Sequence, residues 1–232
     1  MVKLNVDMVR RAQIGAGRRS RTRIRLLAAA RRLFGHAGGR STRVEDICAV
    51  AKIARGTFYN YFPSLDALQS ALFEDLSVQF DQAVHVEFEK LDGPAARTSA
   101  AVRYYLGHML EDQEWGWGMV NTGMGIGQFH DIVTGRVAET IQEGMDAGDF
   151  SIGSAVAGRD ILLGSGLAAA QTLLSGQAAE DHIANVARGV LRSFGLSETR
   201  ANELVLMELP TLSLIAPPNM DSSSAQNRYA KP

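Results

Sequence analysis

The stretch RVEDICAVAKIARGTFYNYFP, residues 43–63, decides the fold of the N-terminal part of this 232-residue chain. Its first half carries apolar residues on one helical face, and its second half places Phe58 and Phe62 one turn apart. The helical pattern breaks at Lys52–Ala54, and Pro63 ends the second helix. Two short amphipathic helices joined by a tight turn predict a helix-turn-helix.

The residues around this motif predict further helices. Thr42, followed three residues later by Glu45, predicts a capping box at the start of the first helix of the pair. Residues 20–37 predict a supporting helix before it, and nearly all of the chain from Ser64 to Glu208 is helical in pattern, with 113–127 less regular. We therefore expect an all-α chain, with an N-terminal three-helix helix-turn-helix domain and a C-terminal helical domain.

Charge is divided unevenly along the chain. Residues 1–63 hold 14 Lys and Arg against 3 Asp and Glu, a net charge of +11, and residues 64–232 hold 10 against 22, a net charge of −12. A basic block joined to an acidic one favours a nucleic-acid-binding module on a different kind of body. The alternative is a solvated basic N-terminus that has no partner.

The second helix of the pair is predicted to lie in the major groove of DNA. Phe58 and Phe62 anchor it to the core, and its other faces carry donors that can reach base edges and phosphates. These donors are Arg55, Thr57, Tyr59, Asn60 and Tyr61. For Tyr59 and Tyr61 the alternative is packing at the boundary of the core.

A resemblance to a known family covers residues 43–68 together with the first helix. DNA-binding domains of TetR-family transcriptional regulators often contain GTFY-x-Y/H-F before a short turn and a helix, and residues 56–62 read GTFYNYF. The resemblance also includes Leu33-Phe34, Val44 and Asp46-Ile47. It implies a ligand-responsive, homodimeric regulator, with a repressor favoured, that releases a palindromic operator when a small, largely apolar effector binds.

The resemblance implies roles for single residues. Tyr59 and Arg43 would contact phosphates, and the side chains closest to the bases would be Arg55, Thr57 and Tyr61. Gly56 would let the backbone approach the groove. A basic arm before or at the start of the first helix would reach the DNA backbone or minor groove, and it comprises Arg18, Arg19, Arg21 and Arg23.

Three positions depart from the usual sequence of the family. Lys52 stands where a glycine is common in the turn, Ala54 where a capping serine is common, and Leu65 where a phosphate-binding lysine is common. These departures weaken the assignment of individual contacts but not that of the fold.

The domains implied are a flexible basic arm at 1–19, a helix-turn-helix domain at 20–65, an effector-binding and dimerisation domain at 66–212 and a disordered tail at 213–232. Two helices with extended apolar faces favour a two-fold four-helix bundle, while an intrachain core helix is the alternative. The predicted interface residues are Leu163, Leu167, Ala170, Leu174, Ile183, Val186, Val190 and Phe194.

A group of aromatic, methionine and histidine side chains in the middle of the body is the predicted effector pocket. Such side chains line apolar ligand cavities, although they also fill ordinary cores. The predicted pocket residues are Tyr104, Tyr105, His108, Met109, Trp115, Trp117, Met119, Met124, Phe129 and His130.

Catalytic and metal-binding patterns are incomplete in this sequence. His85 with Glu89, and His108 with Glu111, are spaced to share a helix face, but two ligands are too few for a metal site. The single cysteine, Cys48, lies on an apolar face and is expected to be an inert core residue. We expect no enzyme, cofactor or metal.

The predicted location is the cytoplasm, without contact to a membrane. No targeting segment is visible, and the most apolar long stretch, residues 155–176, carries Arg159 and Asp160, which favours a buried helix. The alternative function is an architectural or effector-independent DNA-binding protein, although an acidic body of some 150 residues argues against it.

Overall fold

Residues 20–123 and 131–213 are described by the computed structural model of this chain. Within these ranges the chain forms ten α-helices, a short 3-10 turn and no β-strand, which confirms the all-α prediction. The arm residues Arg18 and Arg19 lie outside the described residues, as does the tail from residue 214 onwards.

The N-terminal helices surround a small apolar core. They are α1 (20–34), α2 (Val44–Ala51), α3 (Arg55–Tyr59) and α4 (Leu65–Phe88), with a 3-10 turn at Gly39–Ser41 between α1 and α2. Phe34, Ile47 and Phe58 are fully buried in this core, where Leu68 of α4 joins them. The predicted anchors Phe58 and Phe62 are thus confirmed as core residues.

The body is built from six further helices, the first of which packs against the other five and against α4. Gly93, at a φ of 82°, turns the chain between α4 and the next helix. Pro94 lies in the first turn of that next helix, where a backbone N–H would have no acceptor within the helix, so its absence in proline costs nothing. The helices are α5 (Gly93–Glu111), α6 (Gln113–Gly123), α7 (Asp131–Asp146), α8 (Ala155–Leu174), α9 (His182–Ser193) and α10 (Glu198–Leu206).

Helix α6 corrects the prediction of irregular structure after residue 113. Its glycines allow close packing, because a β-carbon at Gly116 would lie 3.0 Å from Met109, and one at Gly118 would lie 2.9 Å from Leu76. Trp115 is buried and donates its indole N–H to the carbonyl of Leu76 at 2.9 Å. The glycines here serve helix–helix contact rather than a loop.

Helix α4 crosses the predicted boundary between residues 65 and 66 without a break. Its N-terminus is capped by Ser64, whose hydroxyl accepts from the N–H of Ala67 at 3.1 Å. The same helix contributes Leu68 to the N-terminal core and Phe80 to the core of the body. The two domains are therefore joined by a continuous helix and not by a flexible linker.

Candidate functional site

The turn between α2 and α3 is held by a side chain from α1. Lys52 has a left-handed conformation, with φ 53° and ψ 52°, which explains why glycine is common at such a position. The guanidinium of Arg25 donates to the carbonyls of Ala51 and of Lys52, the latter at 3.3 Å. A cation at the C-terminus of α2 also interacts favourably with the helix dipole.

The capping box of α2 begins one residue later than predicted. The backbone N–H of Arg43 donates to Oδ2 of Asp46 at 2.8 Å, so Asp46 and not Glu45 closes the first turn. Thr42 turns away, and its hydroxyl contacts the carbonyl of Leu33 at 3.5 Å. Glu45 is consequently free of a capping role and lies on the surface.

The face of α3 opposite Phe58 is open to solvent. Arg55, Gly56 and Asn60 are exposed, and Tyr59 keeps 45% of its surface accessible. A β-carbon at Gly56 would meet nothing within 4 Å, so the backbone here is free to approach a flat partner. Tyr61 is half-buried against the core, in agreement with the boundary alternative.

Two other predicted phosphate-binding positions extend this face. Arg43 lies exposed just before α2, and Arg21 lies exposed in the first turn of α1. Together with α3 they form what we call the recognition face, defined as Arg21, Arg43, Arg55, Gly56, Thr57, Tyr59 and Asn60.

Arg55 already has two partners, Glu45 of α2 and Tyr59 of α3. Its Nη1 lies 2.9 Å from Oε1 of Glu45, and its guanidinium carbon lies 5.9 Å from the ring centroid of Tyr59. A hydrogen bond with Tyr59, and then the charge of Glu45, raise the pKa of Arg55 above its ordinary value. The guanidinium is therefore held between a carboxylate and an aromatic ring.

A cavity of about 150 Å³ lies in the body between α4, α5, α7 and α8, with a contribution from α6. Its wall is mostly apolar, and its polar lining comes from a few side chains on three of these helices. The apolar lining includes Phe73, Val84, Phe88, Leu106, Met109, Met119, Ile141, Leu162 and Leu167.

A polar corner interrupts the apolar wall of the cavity. Asp81 of α4 forms an ion pair with Arg136 of α7, and the Tyr105 hydroxyl donates to Oδ1 of Asp81 at 3.2 Å. Burial and the neighbouring Asp81 raise the pKa of Tyr105 well above its usual value, so it stays a neutral donor. Thr98, also in the wall, has a buried hydroxyl without a hydrogen-bond partner in the described part of the chain.

Three of the predicted pocket residues line this cavity, namely Tyr105, Met109 and Met119. Tyr104 instead donates to the carbonyl of Pro210 at 2.6 Å, and the His108 ring stacks on Phe80 with centroids 4.6 Å apart. Trp115 and Trp117 pack in the core, while Met124, Phe129 and His130 lie outside the described residues.

The polar corner was missed at the level of sequence. A signal existed, because Asp81 and Arg136 are ionisable residues flanked by the apolar neighbours Phe80, Val84 and Val137. An unexpected charge on an apolar face is a stronger marker of a site than another aromatic residue.

The predicted interface residues divide into three groups according to their surroundings within one chain. Within one chain, Ala170, Leu174, Val190 and Phe194 are buried. Leu163 and Leu167 line the cavity, and Ile183 and Val186 are half-buried against the core. The solvent-facing side of α8 carries Ile161, Gly164 and Ala168. An interface through the eight residues named above stays a prediction.

Helix α6 connects the body to the N-terminal helices by direct hydrogen bonds. The buried side chain of Asn121 donates to the carbonyls of Phe34 at 2.8 Å and of His36 at 2.9 Å, both at the end of α1. Nε of Arg31, also in α1, lies 3.3 Å from Oε1 of Glu114. Because Met119 of the same helix lines the cavity, α6 contacts both the cavity and the C-terminal end of α1.

Metal-binding clusters and membrane-spanning helices are both absent from the described ranges. In residues 20–123 and 131–213, no three His, Cys, Asp or Glu side chains are grouped closely enough to bind a metal ion. The helices of the same ranges are all too short or too polar to span a bilayer.

Family models match both parts of the chain. Residues 26–72 match the model described as bacterial regulatory proteins of the tetR family, and residues 93–206 match a tetracyclin repressor-like C-terminal domain. No curated protein matches the chain.

Solved structures match over most of the length. The crystal structure of RolR in complex with resorcinol is 30% identical, covers 85% of this chain and all of its own, and has a TM-score of 0.63. FadR from Bacillus subtilis in complex with stearoyl-CoA is 16% identical and covers 73% of this chain and 95% of its own, with a TM-score of 0.56. A protein from Shewanella sp. PV-4, described as a tetR-family transcription regulator, is 17% identical over 76% of this chain and 99% of its own, with a TM-score of 0.61.

Proposed function

The chain belongs to the TetR family of transcriptional regulators, and on that premise we propose that it is a homodimeric repressor whose effector is a neutral, hydroxylated single-ring aromatic compound. The effector enters the cavity between α4, α5, α7 and α8, and its binding releases the operator. The observation that carries this proposal is a polar corner, Asp81 with Arg136 and Tyr105, in an otherwise apolar cavity.

The size of the cavity supports a single ring. Its volume is about 150 Å³, and an apolar cavity of roughly that volume accommodates benzene. The apolar wall stabilises the ring by removing its surface from water.

The charges of the cavity support a neutral ligand. Asp81 is paired with Arg136, and Arg97, which also lines the cavity, is paired with Glu143. Neither pair leaves a net charge to be neutralised by an ionised ligand. The carboxylate of Asp81 can accept a hydrogen bond from a hydroxyl group of the ligand.

A second hydroxyl group on the ring is supported by Thr98. Its buried hydroxyl has no hydrogen-bond partner in the described part of the chain, and a buried polar group without a partner is unfavourable. Asp81 can accept a hydrogen bond from one hydroxyl group of a ring that carries two, and Thr98 lies in the wall of the same cavity. RolR was crystallised with resorcinol, which is such a compound.

Release of DNA follows from the position of α6 between the cavity and α1. A ligand that prefers one arrangement of α6 shifts the population between DNA-binding and released states, to the extent of its differential affinity. Met119 contacts the ligand, and a shift of α6 moves the end of α1 through the hydrogen bonds of Asn121.

Dimerisation is proposed through the solvent-facing stripe of α8. Ile161 is 38% exposed, and Gly164 and Ala168 follow on the same face. A β-carbon at Gly164 would meet nothing within 4 Å, so a second copy can approach the backbone closely. Two recognition faces related by the resulting two-fold axis would meet successive major grooves, about 34–36 Å apart or more.

Thermal unfolding in the presence of small aromatic compounds tests the effector. At 100 times its dissociation constant, a ligand adds about 2.7 kcal/mol of stability, or roughly 5–11 °C for a chain of this size. We expect this shift with resorcinol, a smaller one with phenol, and none with toluene or benzoate. Resorcinol should also release the full-length protein from duplexes that it selects out of a random library.

Matched variants locate the binding site. Asp81→Asn should abolish the resorcinol shift, whereas Asp66→Asn, which removes an exposed carboxylate from the same helix, should leave it unchanged. Thr98→Val should remove the advantage of resorcinol over phenol. If no compound in a broad set of neutral aromatics stabilises the protein or releases DNA, the effector-independent alternative is favoured instead.

A further inference from the structure

Glu45 places a negative charge within the surface that faces DNA. It lies in the first turn of α2, more than half of its side chain is exposed, and its Oε1 is 2.9 Å from Nη1 of Arg55. The carboxylate repels a polyanion, so its presence on a DNA-binding face needs an explanation.

Helix capping does not supply that explanation. Asp46 already accepts the hydrogen bond from the N–H of Arg43 that closes the first turn of α2. A second acidic residue near the helix N-terminus adds about 0.3–1 kcal/mol at most through the dipole. The specific contact that Glu45 makes is with Arg55.

The contacts of Arg55 restrict its orientation. Glu45 lies on one side, and the ring centroid of Tyr59 is 5.9 Å from the guanidinium carbon on another. A guanidinium has five N–H donors in a fixed plane, and recognition of guanine uses two of them. Two N–H donors of Arg55 can reach O6 and N7 of a guanine, and the other three can keep the contact with Glu45.

We propose that Glu45 is a specificity-determining residue, which orients Arg55 for a guanine and prevents it from binding phosphates indiscriminately. With Glu45 beside it, Arg55 has little net charge to offer a phosphate, and it interacts favourably only where directional acceptors are present. This inference rests on DNA binding alone, so it is independent of the effector and of repression.

Selection from a randomised duplex library with the full-length protein tests the proposal. The wild type should select a guanine in each half-site that Arg55→Ala no longer selects, since a bidentate contact gives about 5- to 150-fold discrimination. Glu45→Gln should retain the other selected positions, reduce the preference for that guanine by at least about threefold, and bind non-cognate DNA more tightly.

Two controls separate orientation from simple charge. Asp66→Asn makes the same change in charge at an exposed position in the first turn of α4, and it should raise affinity for all DNA without changing the selected bases. In the Arg55→Ala background, Glu45→Gln should leave base preference unchanged, because its effect acts through Arg55.

The proposal is overturned if Glu45→Gln and Asp66→Asn have the same effect, with the guanine still selected in both. It is also overturned if Glu45→Gln alters base preference equally with and without Arg55. Thermal unfolding of each variant establishes that the fold is retained, which is expected because the substituted side chains are exposed.

Discussion

Removal of the Asn121 side chain amide should loosen the joint between the body and the N-terminal helices. In Asn121→Ala the carbonyls of Phe34 and His36 lose donors at 2.8 and 2.9 Å. The carbonyl of His36 keeps the N–H of Gly39, also at 2.8 Å, so the two losses are not equal.

The magnitude follows from the number of bonds and from burial. Each hydrogen bond contributes about 0.5–1.5 kcal/mol net, and a buried group left without a partner adds to the loss. Asn121 is 5% exposed, so the deleted amide also leaves a small void. We expect a loss of about 2–4 kcal/mol, which lowers the melting temperature by roughly 4–16 °C.

Thermal unfolding followed by circular dichroism measures this loss. Asn60→Ala removes an exposed asparagine from the N-terminal domain and should change the melting temperature by about 2 °C or less. Asn121→Asp keeps the shape but sets an oxygen against two carbonyl oxygens, so it should destabilise at least as much as Asn121→Ala at pH 7. A melting temperature for Asn121→Ala within about 2 °C of the wild type would refute the reasoning.

Three further outcomes are expected. Gly195→Ala, at a φ of 93°, sets a β-carbon against the hydroxyl of Ser151 and should cost about 3 kcal/mol in urea unfolding. Gly148→Ala, at a φ of 78° in open space, should cost about 1 kcal/mol, and equal losses for the two variants would contradict the packing argument. Ile161→Glu should halve the mass measured by light scattering, whereas Leu206→Glu, at an 80% exposed residue of α10, should leave the mass unchanged. A dimer that survives Ile161→Glu would exclude the α8 stripe as the interface. Burial raises the pKa of the Cys48 thiol, so this thiol should react with a thiol reagent at pH 8 only as denaturant unfolds the protein. Fast labelling of the folded protein would contradict the expected burial of Cys48.

The helix-turn-helix was predictable from sequence because its signals are local. Phe58 and Phe62 lie one turn apart and both are buried, although α3 ends at Tyr59, short of the end predicted at Pro63. These signals act within a few residues of the chain. The one-residue error in the capping box arose because both Thr42 and Arg43 are followed three residues later by an acidic side chain. Backbone conformation decides between them, and sequence spacing does not.

The cavity could not be predicted in detail, because its wall depends on how distant helices cross. Tyr104 and Tyr105 are neighbours in α5, yet only Tyr105 faces the cavity, while Tyr104 binds the segment after α10. Asp81 and Arg136 are 55 residues apart in sequence. Their meeting is a property of the packed body and not of either helix.

The predicted interface shows a limit of amphipathic patterns. An apolar stripe indicates that a helix face is covered, but it does not indicate what covers it. The stripe of α9 that includes Val190 and Phe194 is covered by the same chain. The exposed face of α8 that carries Ile161 and Gly164 is the one through which we propose the dimer.

The left-handed conformation of Lys52 makes the geometry of α2 and α3 depend on α1. Lys52 adopts a conformation that costs a non-glycine residue about 1 kcal/mol, and Arg25, 27 residues earlier in the chain, binds its carbonyl. The angle between α2 and α3 is therefore imposed from α1 after docking. A peptide comprising residues 43–62, or a graft of it onto another scaffold, would carry the reading side chains without the geometry that aims them.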